Sequence, residues 1–408
     1  MQKTILKNYA KLLAKTGLNV RKGQEVIISA DLDQPEFVAM CAEECYRAGA
    51  SHVSTEWTHQ PLARLRAVYE SEETLSRIPF WQEEKMRAET KILPARLYIE
   101  SEDPYGMSGI DSGKYARASR ARQMVLKPYR DRMENRYQWC IAAVPGEAWA
   151  KRVFPDYPVS AAVEKLWKAI LTCARTYEGN PVANWQKHNA RLSVLCAKLN
   201  SLSLTALEYR NGLGTDFRIG LNPDCLFMAG EETTLAGVPF NPNIPSEEIY
   251  TSPVRGQAEG IVYATKPLSW QGQLIRNFSV RFENGRAVGV RAESGQEVLE
   301  KMLAMDEGAS YLGECALVPY DSPISRSGIL FHNTLFDENA ACHLAFGRGF
   351  TNTVRGYENY TEEQLHEMGV NDSMIHADFM IGSGDLSVTG IRADGTRVSV
   401  FRNGNWAI

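Results

Sequence analysis

The sequence has no Cys-X-X-Cys pair, although it carries eight cysteines. That absence excludes a zinc ribbon and a thioredoxin-type redox motif. Cys41 and Cys45, four apart in an expected helix, read as small buried hydrophobes, and reduced thiols of this kind fit a cytoplasmic protein. Neither a Gly-X-Gly-X-X-Gly turn nor a P-loop follows any expected strand, so a nucleotide fold with its phosphate loop is unsupported. No apolar run approaches the ~20 residues of a membrane span. The opening stretch MQKTILKNYAKLLAKTGLNV mixes Lys and Asn into a helical period and lacks the uninterrupted apolar core of a secretory signal. Neither sign of charge prevails, with 45 Lys and Arg against 49 Asp and Glu. A formal net charge of −4 argues against nucleic acid or an anionic membrane as the main partner.

What is present is ordinary globular composition, 44% apolar and 23% charged, over 408 residues, enough for two domains with a core in each. The first third alternates helix and strand. An amphipathic helix is expected over 3–16, a buried strand at QEVIISA (24–30), a helix stopped by Gly49, and a strand at SHVSTEW (51–57). This βαβ unit implies a parallel sheet, extended by strands at 95–101 and 138–144. Between these two strands lies a long polar helix, about 112–135, with a basic face (Lys114, Arg117, Arg120, Arg122). It has too little aromatic interleaving for base stacking and reads as a solvated face or a subunit contact. Two more helices, 160–176 and 180–199, precede a change of character to short strands, including a hairpin signal at Asn284-Gly285. We therefore expect an N-terminal α/β domain with parallel strands over 1–210 and a C-terminal α+β domain over 211–408.

The second half concentrates the chemistry. In NDSMIHADFMIG, His376 and Asp378 sit two apart on an expected strand and so face one way. In NPNIPSEEIYTSPV, Pro245 and Pro253 bracket the acidic pair Glu247 and Glu248 in a segment too irregular for a helix. In YLGECALVPYD, Glu314 enters an apolar strand, where a carboxylate must be paired, protonated or metal-bound. In FDENAACHLAFG, Asp337 and Glu338 lie where a helix is expected to begin, and His343 follows in a run of small residues. Two histidines and at least three carboxylates exceed the three ligands of one catalytic zinc and suit two cations sharing a carboxylate.

NIPSEEIYTSP, LGECALV, LFDENAACHLAFG and HADFMIG, in this order and spacing, resemble the aminopeptidase T, AmpS and PepS family of metallo-exopeptidases. The likeness spans the second half and extends to GLNVRKGQEVIISA in the first. The resemblance implies metal ligands at Glu248, Glu314, His343, His376 and Asp378, with Glu314 as the bridge, and Glu338 as a ligand or a partner of one. It further implies a cytoplasmic homodimer, a dinuclear site for Zn, Co, Mn or Mg, and removal of N-terminal residues from short peptides with a free amine. Glu248 or Glu338 would relay the proton to the leaving amine. One position departs from the family pattern. Seven residues beyond the ligand histidine the family has Tyr, and this chain has Phe350, which keeps the ring and loses the hydroxyl; Tyr357 and Tyr360 are nearby substitutes.

Two other readings compete. His343, His376 and Asp378 could form the facial triad of a non-haem Fe(II) ring-cleaving dioxygenase, a class that resembles this fold, but Glu248 and Glu314 then have no task. A non-catalytic peptide-binding relative is the third, suggested only by Phe350.

Overall fold

The computed structural model describes residues 2–177, 179–271 and 273–408. The chain forms two compact units, one of Met1–Lys187 with Glu231–Pro245 and one of His188–Gly230 with Ser246–Ile408. The fold is mixed α/β, with a parallel sheet in the first unit and antiparallel sheets in the second.

In the first unit β1 (Glu25–Asp31), β2 (His52–Thr58), β3 (Ala95–Glu100) and β4 (Trp139–Ala143) lie in the order β2-β1-β3-β4, every pairing parallel. Val26, Ile27 and Ile28 of β1 are all buried, as expected where crossover helices cover a parallel sheet. The helix Pro35–Ala48 carries β1 to β2. Proline opens it where the missing N–H has no intrahelical role, and Gly49 ends it in the left-handed region at φ 114°. The opening helix Lys3–Leu12 closes with a π-helical turn, Leu13–Gly17. The basic helix Ser112–Met133 is capped by the Asp111 side chain, which accepts from Lys114 N–H. Its cations engage neighbouring chain: Arg117 pairs with Glu72 at 2.7 Å and Lys114 donates to the Glu70 carbonyl at 3.0 Å.

The second unit holds two antiparallel sheets. A nine-stranded sheet includes Leu204–Arg210, Asp216–Leu221 and the hairpin Gln273–Glu283/Arg286–Ser294. That hairpin turns at Asn284 (φ 49°) and Gly285 (φ 79°), the two positive φ values a tight turn of this hand requires. The smaller sheet contains β5 (Met228–Ala229), β6 (Ile249–Thr251), β7 (Leu312–Leu317), β8 (His343–Gly347) and β9 (His376–Met380), in the order β9-β8-β7-β6-β5. Side chains alternate along these strands. Ile249, Cys315, Leu317, Leu344, Phe346, Ala377 and Phe379 join Leu207, Phe217, Phe278 and Phe282 of the larger sheet in one apolar core. Phe346 is the hub, stacked on Phe379 at 4.6 Å and on Phe282 at 6.0 Å between ring centroids. Full burial of such a ring is worth roughly 1.5–3 kcal/mol.

Two expectations differ from the structure. The boundary set near 210 lies inside the second unit, and the units divide between Lys187 and His188, within the helix Pro181–Ser201. Leu192 and Leu199 of that helix are buried in the second unit's core, a destination that helical periodicity does not encode. The helix expected to begin at Asp337 ends there instead: Thr334–Asp337 is one short turn, followed by a 3₁₀ turn Glu338–Ala340 and then strand β8.

Candidate metal centre

The strand register decides what faces what. Opposed residues of an antiparallel pair project to the same side. Across the smaller sheet, His343 faces Met380 on one side and Ala316 on the other, and Ala316 faces Tyr250. In the next row Asp378 opposes Ala345, which opposes Glu314; Gly347 opposes His376. All of these lie on the face turned away from the Phe346 core. Acids and imidazoles are thus interleaved with Ala345, Ala316 and Gly347, whose small size leaves room between the functional groups.

Two groups of potential ligands result, Glu248 with Glu314 and His343, and Glu314 with His376 and Asp378, each with its donor atoms within 4.8 Å of one another. Glu314 belongs to both. Its Oε2 lies 3.0 Å from His376 Nε2, which is 3.2 Å from Asp378 Oδ1, and Glu248 Oε2 is 3.5 Å from His343 Nε2. Glu248 immediately precedes β6 in a segment without regular secondary structure, as its proline-flanked sequence suggests.

Each imidazole is oriented from behind by the backbone. His343 Nδ1 donates to the Glu338 carbonyl at 2.9 Å and His376 Nδ1 to the Arg348 carbonyl at 2.8 Å. Both Nε2 atoms therefore face the carboxylates, the orientation a metal-ligating histidine takes when its other nitrogen is held by a carbonyl. Phe350 lies beside His376, ring centroids 5.1 Å apart, and Tyr250 packs edge-on against Phe350, also at 5.1 Å.

The electrostatics are those of a cluster short of positive charge. Burial, then the neighbouring Glu314 carboxylate, pushes Glu248 up to about 8. Burial and the charges of Asp378, Glu248 and Glu314 hold Glu338 well above the usual carboxylate range. Burial works against His343 and His376 as cations, yet the surrounding carboxylates overcome it and raise both. Asp378 moves the other way: burial opposes its charge, but the His376 imidazolium outweighs it and holds the carboxyl low. Its Oδ1 is buried and has no aligned hydrogen-bond donor among the described residues. Buried acids crowded on two imidazoles, with an oxygen unsatisfied, fit a divalent-cation site better than a protein-only network.

The other expected residues separate. Glu338 enters the cluster as a neighbouring carboxyl, outside both ligand groups, and Asn339 Nδ2 donates to it at 3.3 Å. Glu247 turns to His188, its Oε2 3.8 Å from Nε2. Asp337 clips the preceding loop, accepting from the N–H groups of Phe331 and Asn333, and burial raises its carboxyl to about 6. Tyr357 packs with Val354, Leu365 and Val370 in a separate apolar cluster, and Tyr360 is exposed.

A family model described as thermophilic metalloprotease (M29) matches residues 2–406. The chain belongs to this M29 family of metalloproteases. It is 38% identical to aminopeptidase AmpS of Bacillus subtilis, over 98% of each chain, and 40% identical to aminopeptidase T of Thermus thermophilus, over 99% of this chain and 98% of that one. The solved structure of wild-type AmpT from T. thermophilus superposes with a TM-score of 0.90 over all of both chains. A 2,5-dihydroxypyridine dioxygenase from Pseudomonas putida KT2440 shares the fold at 13% identity, with a TM-score of 0.51 over 99% of this chain and 97% of that one. For an M29 protein the dioxygenase likeness is one of fold alone.

Proposed function

We propose that this M29 protein is a two-metal aminopeptidase that removes N-terminal residues from short peptides with a free amine, acting as a cytoplasmic homodimer. The observation that carries the reading is Glu314's membership of two separate ligand groups on one sheet face. A facial triad would leave Glu248 and Glu314 without a task, and the family and its aminopeptidase relatives point the same way.

Glu248 and His343 would hold one cation, His376 and Asp378 the other, and Glu314 both. Mixed nitrogen and oxygen donors without thiolate suit Zn, Co or Mn, with Mg also open to the carboxylates. Such a pair supplies Lewis-acid polarisation of the scissile carbonyl and a water acidified to near-neutral pKa. The protein's own part is orientation and proton transfer. Carbonyl-anchored Nδ1 atoms fix the imidazoles, and Phe350 bounds His376 on one flank. Glu338, a buried carboxyl beside the cluster and outside both ligand groups, is placed to carry a proton to the leaving amine. Glu248 becomes unavailable as a proton carrier once it serves as a ligand.

The test pairs metal analysis with a blocked substrate. Close to two equivalents of metal per chain and cleavage of a free peptide but not its N-acetylated form are expected. One equivalent, with Fe(II) alone giving activity, or equal cleavage of both peptides, would overturn the reading.

A further inference from the structure

The site face is rich in groups that accept hydrogen bonds or ligate metal and poor in groups that donate. With metals bound, the carboxylates and both Nε2 atoms present lone pairs, while each Nδ1–H is held by a backbone carbonyl. The neighbouring serines are engaged as well. Ser252 Oγ accepts from Phe350 N–H at 2.8 Å, and Ser246 Oγ lies 3.4 Å from Glu248 Oε1. Hydrolysis of an amide places negative charge on the carbonyl oxygen, and a positioned neutral donor there is a large contributor to rate.

Tyr250 is a phenol on this face. It lies two residues after Glu248, and β6 sets it in one row with Ala316, His343 and Met380. Only the Ala316 methyl separates it from His343 along that row, two strand spacings of ~4.8 Å each. The ring is buried, 5% exposed, and Phe350 is wedged between it and the His376 imidazole. Tyr250, Phe350 and His376 thus form one aromatic wall beside the ligands.

We propose that the Tyr250 hydroxyl is the hydrogen-bond donor to the substrate carbonyl oxygen as that oxygen gains charge, supplying from β6 the hydroxyl that Phe350 lacks. No proton is transferred; the phenol O–H stays intact and its hydrogen bond shortens as charge builds. The proposal rests on the aminopeptidase reading. Tyr357 and Tyr360, the substitutes suggested by sequence proximity, lie in other surroundings.

Tyr250→Phe removes one oxygen and keeps the ring. It is expected to lower kcat by ~10²–10³ with KM and metal content unchanged. Calorimetry adds a readout without turnover: an α-aminoalkyl phosphonic acid, which mimics the tetrahedral centre, should bind the variant more weakly by a comparable factor, while the product amino acid binds as before. Adding Phe350→Tyr to Tyr250→Phe returns a phenol to the same wall and should recover part of the rate. If the wild type cleaves free peptides and Tyr250→Phe matches it in kcat and phosphonate affinity, the role of Tyr250 is overturned and the aminopeptidase reading stands. Loss of metal along with rate would also overturn it, making Tyr250 a support for the ligands. A wild type that cleaves no free peptide overturns the aminopeptidase reading and this role together.

Discussion

Residue by residue, the centre depends on which carboxylate is shared. Glu314 lies within ligand range of both histidines' groups, whereas Glu248 belongs to one. Glu314→Gln removes a charge that both cations would use, so equilibrium dialysis should return fewer than half an equivalent of metal per chain. Glu248→Gln should retain about one. Equal losses from the two variants would remove the distinction between them. Glu314 stands out in the sequence because a carboxylate entering an apolar strand has few innocent explanations, whereas Glu248, in its proline-flanked segment, is singled out as a ligand only by the family resemblance. Tyr250 was not singled out, since a tyrosine in a short strand is unremarkable until the register shows that it shares a face with Glu314 and His343. The period-2 rule applied to Glu248 and Tyr250 was the available signal.

Among the elements, β8 shows most clearly where local sequence stops being informative. ENAACHLAFG reads as a helix start because acidic residues precede an alanine-rich run, yet His343–Gly347 is a strand between β7 and β9. Pairing on both edges, with Leu344 and Phe346 in the core, overrides a helix propensity worth a few tenths of a kcal/mol per residue. By contrast, β1 to β4 and the hairpin at Asn284-Gly285 fall within a residue or two of their expected positions, because the Asn-Gly turn, the buried run Val26, Ile27 and Ile28, and the alternation of helix with strand mark them locally. The alternation along β8 makes adjacent residues separable by experiment. Phe346→Ala cuts a ring from the core stack and should cost ~3–5 kcal/mol in denaturant unfolding. Metal content at low denaturant should stay near wild type. Ala345→Val instead pushes methyl groups between Glu314 and Asp378. Metal should be lost, and stability should fall by only ~1–3 kcal/mol, the usual cost of overpacking. Similar phenotypes for the two would mean that the strand does not divide core from site.

For the molecule as a whole, the cluster couples stability to pH and to metal, with a definite sign. Unfolded, Glu248 releases its proton near the ordinary glutamate value of 4.5; folded and metal-free, it keeps the proton to about 8. Glu338 is shifted the same way. Over that window the folded chain binds more protons than the unfolded one, so its stability falls as pH rises. His343 and His376, raised above 6.5, add to the fall: their contribution is complete below that value and is lost as pH climbs through their folded pKa values. Asp378 is shifted downward from 3.8, so its opposite contribution is lost only under more acidic conditions. Metal reverses the balance, because ligands must be deprotonated to bind it and the cations replace the missing protons. The melting temperature of chelator-treated protein should therefore drop between pH 5 and pH 8, while the gain on adding zinc or manganese should widen over the same range. Binding at pH 7 should release protons, visible as a calorimetric heat that changes with the ionisation enthalpy of the buffer. A metal-induced gain that shrinks as pH rises would place the bound ions away from these carboxyls.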